Sequence, residues 1–373
     1  LSLTRGCPGR CRFCGSPRFW GRWVRSHSAT YFVDQLELLC RRGISFFYVS
    51  DDTFTLDKAR VIEVCREIIA RRLPIHWAAI SRVNLVDGEI LRWMRLAGCQ
   101  QISYGVEHGN AEIRQALGKE LDHADILYAF RITTAHGIMA RAYFIYGAPG
   151  ETAATIQESI DLMDEIKPLG AIFYLLALFP GTALYRDHCR RSGQDDSYWR
   201  QRAEDILYYQ TDPHLDEEQV LEFGRRLREA FWEGLPAYCD AIDLVDDADL
   251  APFHADFLSR LGMTFTHGDY AAIDAIVDKD GLAERLFRRA LAHYPHQRAY
   301  LGLGILLQKG GRHDECRPLL GEAVERYPRA KELHLCLAVS LMTLGHTAQA
   351  VEVLTPFQED PQAAAYLSHC RQP

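Results

Sequence analysis

The chain has 373 residues, 48% of them hydrophobic, and carries 50 acidic side chains against 42 Lys and Arg for a formal net charge of −8. That length supports two domains with real cores, and the acidic balance argues against a general nucleic-acid-binding surface. No apolar run approaches the roughly 20 residues that span a bilayer, the longest candidate being Ala171–Phe179, and no signal peptide is evident, so a cytoplasmic protein with neither a membrane nor a nucleic-acid partner is expected.

Leu1–Thr4 reads as a first strand. The chain opens inside that strand without a methionine, so a fragment of a longer protein is expected. The strand feeds Cys7-Pro8-Gly9-Arg10-Cys11-Arg12-Phe13-Cys14, a C-x₃-C-x₂-C run. Gly6, Pro8 and Gly9 favour a tight irregular loop able to wrap a compact cluster. A [4Fe–4S] cluster normally takes four cysteine thiolates; here the next cysteine, Cys40, falls in a helical pattern. Three ligands leave one metal position open to substrate. Phe13 puts an aromatic face beside the last thiolate, and Arg5, Arg10 and Arg12 temper the charge. A closed zinc site with a distant fourth ligand fits less well. A disulfide framework fits worse, because the total of 11 cysteines is odd and the remainder are scattered through apolar patterns, as small core residues in a reducing compartment are. The basic, aromatic stretch Arg18–Arg25, with Phe19, Trp20 and Trp23, is expected to pack beside the cluster loop.

The C-x₃-C-x-aromatic-C loop resembles the signature of the radical S-adenosylmethionine (SAM) superfamily. The resemblance implies a [4Fe–4S] cluster on Cys7, Cys11 and Cys14 whose open iron chelates the amino and carboxylate groups of SAM. One electron would split SAM into methionine and a 5′-deoxyadenosyl radical that takes hydrogen from a substrate. A reductant protein of the flavodoxin or ferredoxin type is implied with it. The cofactors would carry the chemistry while the protein positions them and excludes water.

Up to about residue 180, short apolar runs alternate with amphipathic ones, which argues for parallel βα units. Strands are expected at Ile44–Ser50, Ile75–Ile80, Gln101–Val106, Met139–Tyr146 and Ala171–Leu178. Between them lie helices over Tyr31–Arg42, from an Asp57 cap to Arg72, from Asp87 to Ala97, over 122–136, and from Thr152 to Lys167. With Leu1–Thr4 these give an α/β fold, a partial (β/α)6 barrel over residues 1–182, with right-handed crossovers and its site at the C-terminal strand ends.

Polar residues gather at those ends. Asp51 and Asp52 close the second strand, where carboxylates are poor strand material. The resemblance would set them against SAM's amino group, although an Asp-Asp pair departs from the commoner Gly-Gly-Glu; helix capping is the open alternative. Arg82 follows the third strand, to meet a carboxylate or to face solvent. Glu107 ends the fourth, and the resemblance gives it contacts to SAM's ribose or amino group; a solvated carboxylate is the plainer reading. Gly147, Pro149 and Gly150 form a tight turn resembling the segment near the adenine, though an ordinary strand–turn–helix junction looks similar. Tyr104, Tyr143 and Tyr146 either shape a pocket or face the core.

Residues 183–250 are helix-rich and acidic, expected as a solvated linker or cap. From 251 the pattern is helical and repeats: Ala290-x₃-Tyr294-Pro295 returns as Ala323-x₃-Tyr327-Pro328, and Gly304 and Gly311 match Ala338 and Gly345. This resembles the tetratricopeptide (TPR) helix-pair repeat. An earlier copy starts near Leu261 and carries an insertion near 277–281, so residues 251–373 are expected as TPR-like repeats that bind a protein partner or buttress the barrel. The resemblance is nearest to the radical SAM subgroup often fused to a cobalamin-binding domain. The Asp-x-His-x-x-Gly pattern of that domain is absent, so cobalamin is expected only if an upstream domain is missing. A radical SAM enzyme of unassigned reaction is the expectation, methyl transfer among the candidates. The rival is a non-catalytic iron–sulfur and TPR interaction protein with a fourth protein ligand.

Overall fold

The computed structural model describes residues 1–197, 208 and 210–370, in two compact units, Leu1–Val245 and Asp246–Pro373. The first unit runs β1 (Thr4–Arg5), α1 (Ser16–Phe19), β2 (Arg25–Ser26), α2 (Ala29–Cys40), β3 (Phe46–Val49), α3 (Lys58–Ala70), β4 (His76–Ser81), α4 (Gly88–Leu96), β5 (Cys99–Glu107), α5 (Ala111–Ala116), α6 (His123–Ala135), β6 (Met139–Tyr146), α7 (Ala153–Ile166), β7 (Gly170–Leu175), α8 (Ala183–Ser192) and α9 (Glu217–Asp240). Strands β3 to β7 form one parallel sheet in chain order. It is a half-barrel.

Alternation sorts the side chains. On β3, Phe47 and Val49 are buried while Phe46 and Tyr48 are exposed. The buried face packs on helices whose apolar residues recur every three or four positions, such as Val61, Val64, Cys65 and Ile68 of α3 and Ile90, Leu91 and Met94 of α4. Helix starts follow capping chemistry: the side chains of Ser28, Asp57, Asp87, Asp122 and Thr152 accept backbone N–H groups of α2, α3, α4, α6 and α7.

The expected first strand does not join the sheet. The Ser50 N–H donates to the Leu1 carbonyl at 2.8 Å, but the next donors, Leu3 N–H and Thr4 N–H, turn to the Asp51 carboxylate, both at 2.8 Å. β1 pairs antiparallel with β2 instead. The sheet therefore has five strands, not six.

Of the stretch 183–250 expected as a linker or cap, residues 198–207 and 209 lie outside the described residues, and α8 and α9 are part of the first unit rather than a free linker. Residues up to Val245 belong to the first unit, and α9 packs against α7, β6 and β7, burying Val220, Phe223, Leu227, Phe231 and Leu235.

The second unit is helical: α10 (Ala251–Thr266), α11 (Lys279–His293), α12 (Gln297–Lys309), α13 (His313–Arg326), α14 (Lys331–Thr343), α15 (Thr347–Leu354) and α16 (Pro361–Cys370). Each helix packs on its sequence neighbours, and α12 also touches α10 and α14. Two positions of the sequence repeat meet directly, the Tyr327 hydroxyl donating to the Pro295 carbonyl at 2.8 Å. Among the described residues no helix is long and apolar enough to cross a membrane.

Candidate active site

The loop between β1 and α1 carries Cys7, Cys11 and Cys14, all free and half-buried. The Gly9 N–H donates to Cys7 Sγ at 3.4 Å. A Cβ on Gly9 would stand 3.2 Å from Cys7 Sγ, 4.0 Å from Cys11 Sγ and 3.5 Å from an Arg82 guanidinium nitrogen, so bare backbone keeps that space open. The loop is held firmly on its far side. The Arg12 N–H donates to the Leu117 carbonyl at 2.8 Å and the Leu184 N–H to the Arg12 carbonyl at 3.1 Å. Phe13 packs into an apolar cluster with Ile113, Leu117, Leu178 and Leu184; its role is to anchor the loop.

The donor set suits a body larger than one ion. Among the described residues no three His, Cys, Asp or Glu side chains close round a single metal, as a mononuclear zinc site needs, whereas a loop with three thiols spread along it can cup an iron–sulfur cluster. Burial pushes the Cys11 and Cys14 thiols up, with Lys119 and Arg82 pulling Cys11 the other way and Asp52 adding to the rise at Cys14. Metal binding would displace those protons, and the two cations would offset the cluster's charge.

The residues at the strand ends divide by role. Asp51 is buried, and burial raises its carboxyl. Both of its oxygens are engaged, Oδ1 by the Leu3 N–H and Oδ2 by the Thr4 N–H and Thr4 hydroxyl, the latter at 2.6 Å. It ties down the segment that enters the cysteine loop and caps no helix; Asp57 caps α3, accepting the Arg60 N–H at 3.1 Å. Asp52 and Arg82 both lie close enough to the thiols to affect them. Arg82 Nε reaches Asn84 Oδ1 at 3.5 Å.

Glu107 ends β5 with a φ of +69°, where the register with β6 slips between Gly105 and Glu107. Such an irregularity re-aims a side chain, and a left-handed backbone on a residue other than glycine marks stored strain. Its carboxylate is buried and accepts from Lys119 Nζ at 2.9 Å. A Cβ on Gly105 would fall 2.4 Å from Glu107 Oε1 and 2.7 Å from Lys119 Nζ, so this pair exists only over a glycine. Lys119 escapes sequence reasoning; it follows α5, its N–H closing on the Arg114 carbonyl at 2.9 Å, and nothing in its local pattern points to the site.

The turn after β6 is built on Glu151. Its carboxyl accepts the Gly147 N–H at 2.7 Å and the Ala148 N–H at 3.0 Å, while the Gly150 N–H donates to Asp212 at 3.0 Å. Burial raises Glu151 to about 7. His108 Nε2 lies 3.6 Å from Glu151 Oε1, and its Nδ1 accepts the Asn110 N–H at 2.9 Å; burial lowers its pKa to about 4.

The three tyrosines divide between the two readings left open for them. Tyr104 faces the helix layer, hydrogen bonded to Thr133 at 2.7 Å, and Tyr146 is buried against Gly224 of α9; only Tyr143 reaches the concave face. The Arg18–Arg25 stretch lies beside the cluster loop as expected, the Cys7 N–H donating to the Gly21 carbonyl at 3.4 Å and Arg22 to the Pro8 carbonyl at 3.0 Å, but the Phe19 and Trp23 side chains are 78% and 88% exposed. Trp20 instead lies under the Arg5 guanidinium, 5.0 Å from the ring centre.

The radical SAM superfamily model matches residues 1–163. An uncharacterized methyltransferase of Pyrococcus horikoshii is 29% identical over 62% of this chain and 50% of its own length. The anaerobic magnesium-protoporphyrin IX monomethyl ester cyclase of Cereibacter sphaeroides is 32% identical over 50% of this chain and 31% of its own. The chain thus spans half or less of these two curated relatives. A similar fold is seen in the radical S-adenosylmethionine methyltransferase TsrM of Kitasatospora setae, solved with cobalamin and a [4Fe–4S] cluster bound, with a TM-score of 0.52 at 18% identity over 78% of this chain and 60% of that one.

Proposed function

We propose that the chain, whose residues 1–163 match the radical SAM superfamily model, is an enzyme holding a [4Fe–4S] cluster on Cys7, Cys11 and Cys14 and cleaving SAM reductively to start radical chemistry. The observation that carries the reading is the loop itself, three free thiols close enough to act on one another, two of them flanking Gly9, with Arg82 and Lys119 beside them. A bound cluster would supply the electron for reductive cleavage of SAM, and SAM would supply the radical that starts chemistry on the substrate.

The chain's own residues bind and orient. Glu107, held by Lys119, presents a carboxylate to the ribose hydroxyls or ammonium of SAM, a charge-assisted contact in a sheltered setting. Arg82 and Asp52 stand beside the thiols, to meet the carboxylate and the amino group respectively. The turn through Gly147, Pro149 and Gly150, pinned from behind by Glu151, offers backbone to the adenine. Asp51, buried with both oxygens engaged by the segment that enters the cysteine loop, is left out of these contacts.

The reaction class is carried by the relatives. Methyltransferases recur among them, which favours methyl transfer as the second, finer reading. Cobalamin belongs to that reading only with a binding domain beyond this chain. A one-electron donor protein of the flavodoxin or ferredoxin type completes the proposal. The helical unit, with its Tyr327–Pro295 contact between repeated positions, supports the TPR-like reading and a protein partner there.

The test is anaerobic reconstitution of the cluster followed by measurement of dithionite-dependent 5′-deoxyadenosine. The wild-type chain should form it, and Cys11→Ala should lose both cluster and product. A wild-type chain that holds a full cluster and never cleaves SAM would overturn the assignment, as would tetrahedral zinc in the loop.

A further inference from the structure

The helix-free side of the sheet carries polar groups that the cofactor reading leaves unused. Paired residues in a parallel sheet face the same way, so the register sets Arg141 beside Ser103, Tyr143 beside Gly105 and Tyr174 beside Ile145. Tyr48 of β3 joins them across the concavity, its hydroxyl 3.4 Å from that of Tyr143. The Tyr143 and Tyr174 rings meet edge to face with centres 5.6 Å apart. Tyr48 and Tyr174 are 41% and 49% exposed, so this ring-lined surface is accessible within the unit.

Arg141 stands among them without a counter-charge. Its charge acts on both Tyr48 and Tyr174, yet among the described residues it makes no hydrogen bond or ion pair. Its stem rests where β7 has no side chain, Nε lying 3.3 Å from the Cβ position of Gly170. Two arginines elsewhere in this unit show the contrast: Arg12 pairs with Asp187, and Arg71 with Asp34, Glu37 and Glu67. The acid that reaches this face, Glu107, is already neutralised by Lys119. A half-sheltered guanidinium among phenol hydroxyls and ring faces is the chemistry of an oxyanion seat, since guanidinium binds carboxylate and phosphate in a fixed fork.

We propose that Arg141, with the hydroxyls of Tyr48 and Tyr143, binds a carboxylate or phosphate of the substrate, whose apolar part lies against the Tyr143 and Tyr174 rings. Glu107 pairs with Phe144 and Arg141 with Ser103, so the anion sits about 10 Å below the strand-end rim, three residues of strand at about 3.3 Å each. The substrate is anchored deep and reacts at the rim. This rests on the radical SAM reading only in calling the ligand a substrate.

Isothermal titration calorimetry of the full chain with its cluster reconstituted, without SAM or reductant, tests the seat. The ligands are benzoate, phenyl phosphate and the neutral benzamide. Wild-type protein should bind at least one anion about tenfold more tightly than benzamide, the scale of one charge-assisted contact. Benzoate ahead of phenyl phosphate assigns a carboxylate, and the reverse assigns a phosphate. Arg141→Gln should erase the preference, Arg141→Lys should keep part of it, and Tyr143→Phe should weaken anion binding alone. A wild-type chain with no preference for either anion overturns the proposal, as does a preference retained in Arg141→Gln with an unchanged circular dichroism spectrum. Should Arg141→Gln not fold, Tyr143→Phe and Arg141→Lys decide: wild-type anion preference in both overturns it. The readout needs no SAM cleavage, so an inert cofactor site and an absent anion seat give different results.

Discussion

A single carboxyl, Glu151, shows how burial sets a charge. Its folded pKa of about 7 stands above the ordinary 4.5, so the folded chain holds the proton more tightly than the unfolded one. The stability it contributes is complete below the unfolded value and is lost as pH rises through 7, a fall of about 3 kcal/mol over that window. His108 works in the opposite sense, its pKa lowered to about 4, adding stability as pH rises toward 6.5. The Glu151 effect is therefore read as a difference: from pH 5 to 8, urea unfolding of the wild type should fall relative to Glu151→Gln. Parallel pH profiles would remove Glu151 as the cause. At this scale legibility is uneven. Glu107 is legible as a carboxylate ending an apolar run, while its partner lies 12 residues away, across a turn and helix that only the fold closes.

Whole elements are read well where their period is unmixed and poorly where another rule intervenes. Met139–Tyr146 has the bounds expected from its alternation. Leu1–Thr4 carries the same kind of pattern, yet Asp51 takes the N–H groups that a sheet ladder would use. Asp51→Ala would leave those buried donors without an acceptor, costing about 3 kcal/mol, and would loosen the approach to Cys7. Chemical unfolding and iron content per chain should both drop; an unchanged pair of values would show the tie to be dispensable. The α9 helix misleads for a different reason. Its Asp and Glu residues suggest a solvated stretch, but Val220, Phe223, Leu227, Phe231 and Leu235 recur every three or four residues as one buried stripe. The charges mark its outer side.

Across the molecule, the cysteine loop and the all-helical segment fall in different units. All six tryptophans, at positions 20, 23, 77, 93, 199 and 232, precede the boundary after Val245, so indole fluorescence reports the cysteine-bearing unit alone. Stripping the cluster with a chelator removes a ligand of the folded state and should lower the fluorescence-detected melting midpoint by roughly 5 °C. An identical midpoint with and without the cluster would mean that the loop gains no order from its metal. The helical character of the second unit is legible in its apolar spacing, and the Tyr327 hydroxyl reaches the Pro295 carbonyl at 2.8 Å.

The left-handed turn of the chain at Glu107 has a practical side. Glycine or asparagine would sit there more comfortably, yet neither brings a negative charge to face Lys119. The conformationally easiest occupant is not the chemically useful one, and anyone seeking a hardier protein by relieving awkward backbone should leave this position untouched.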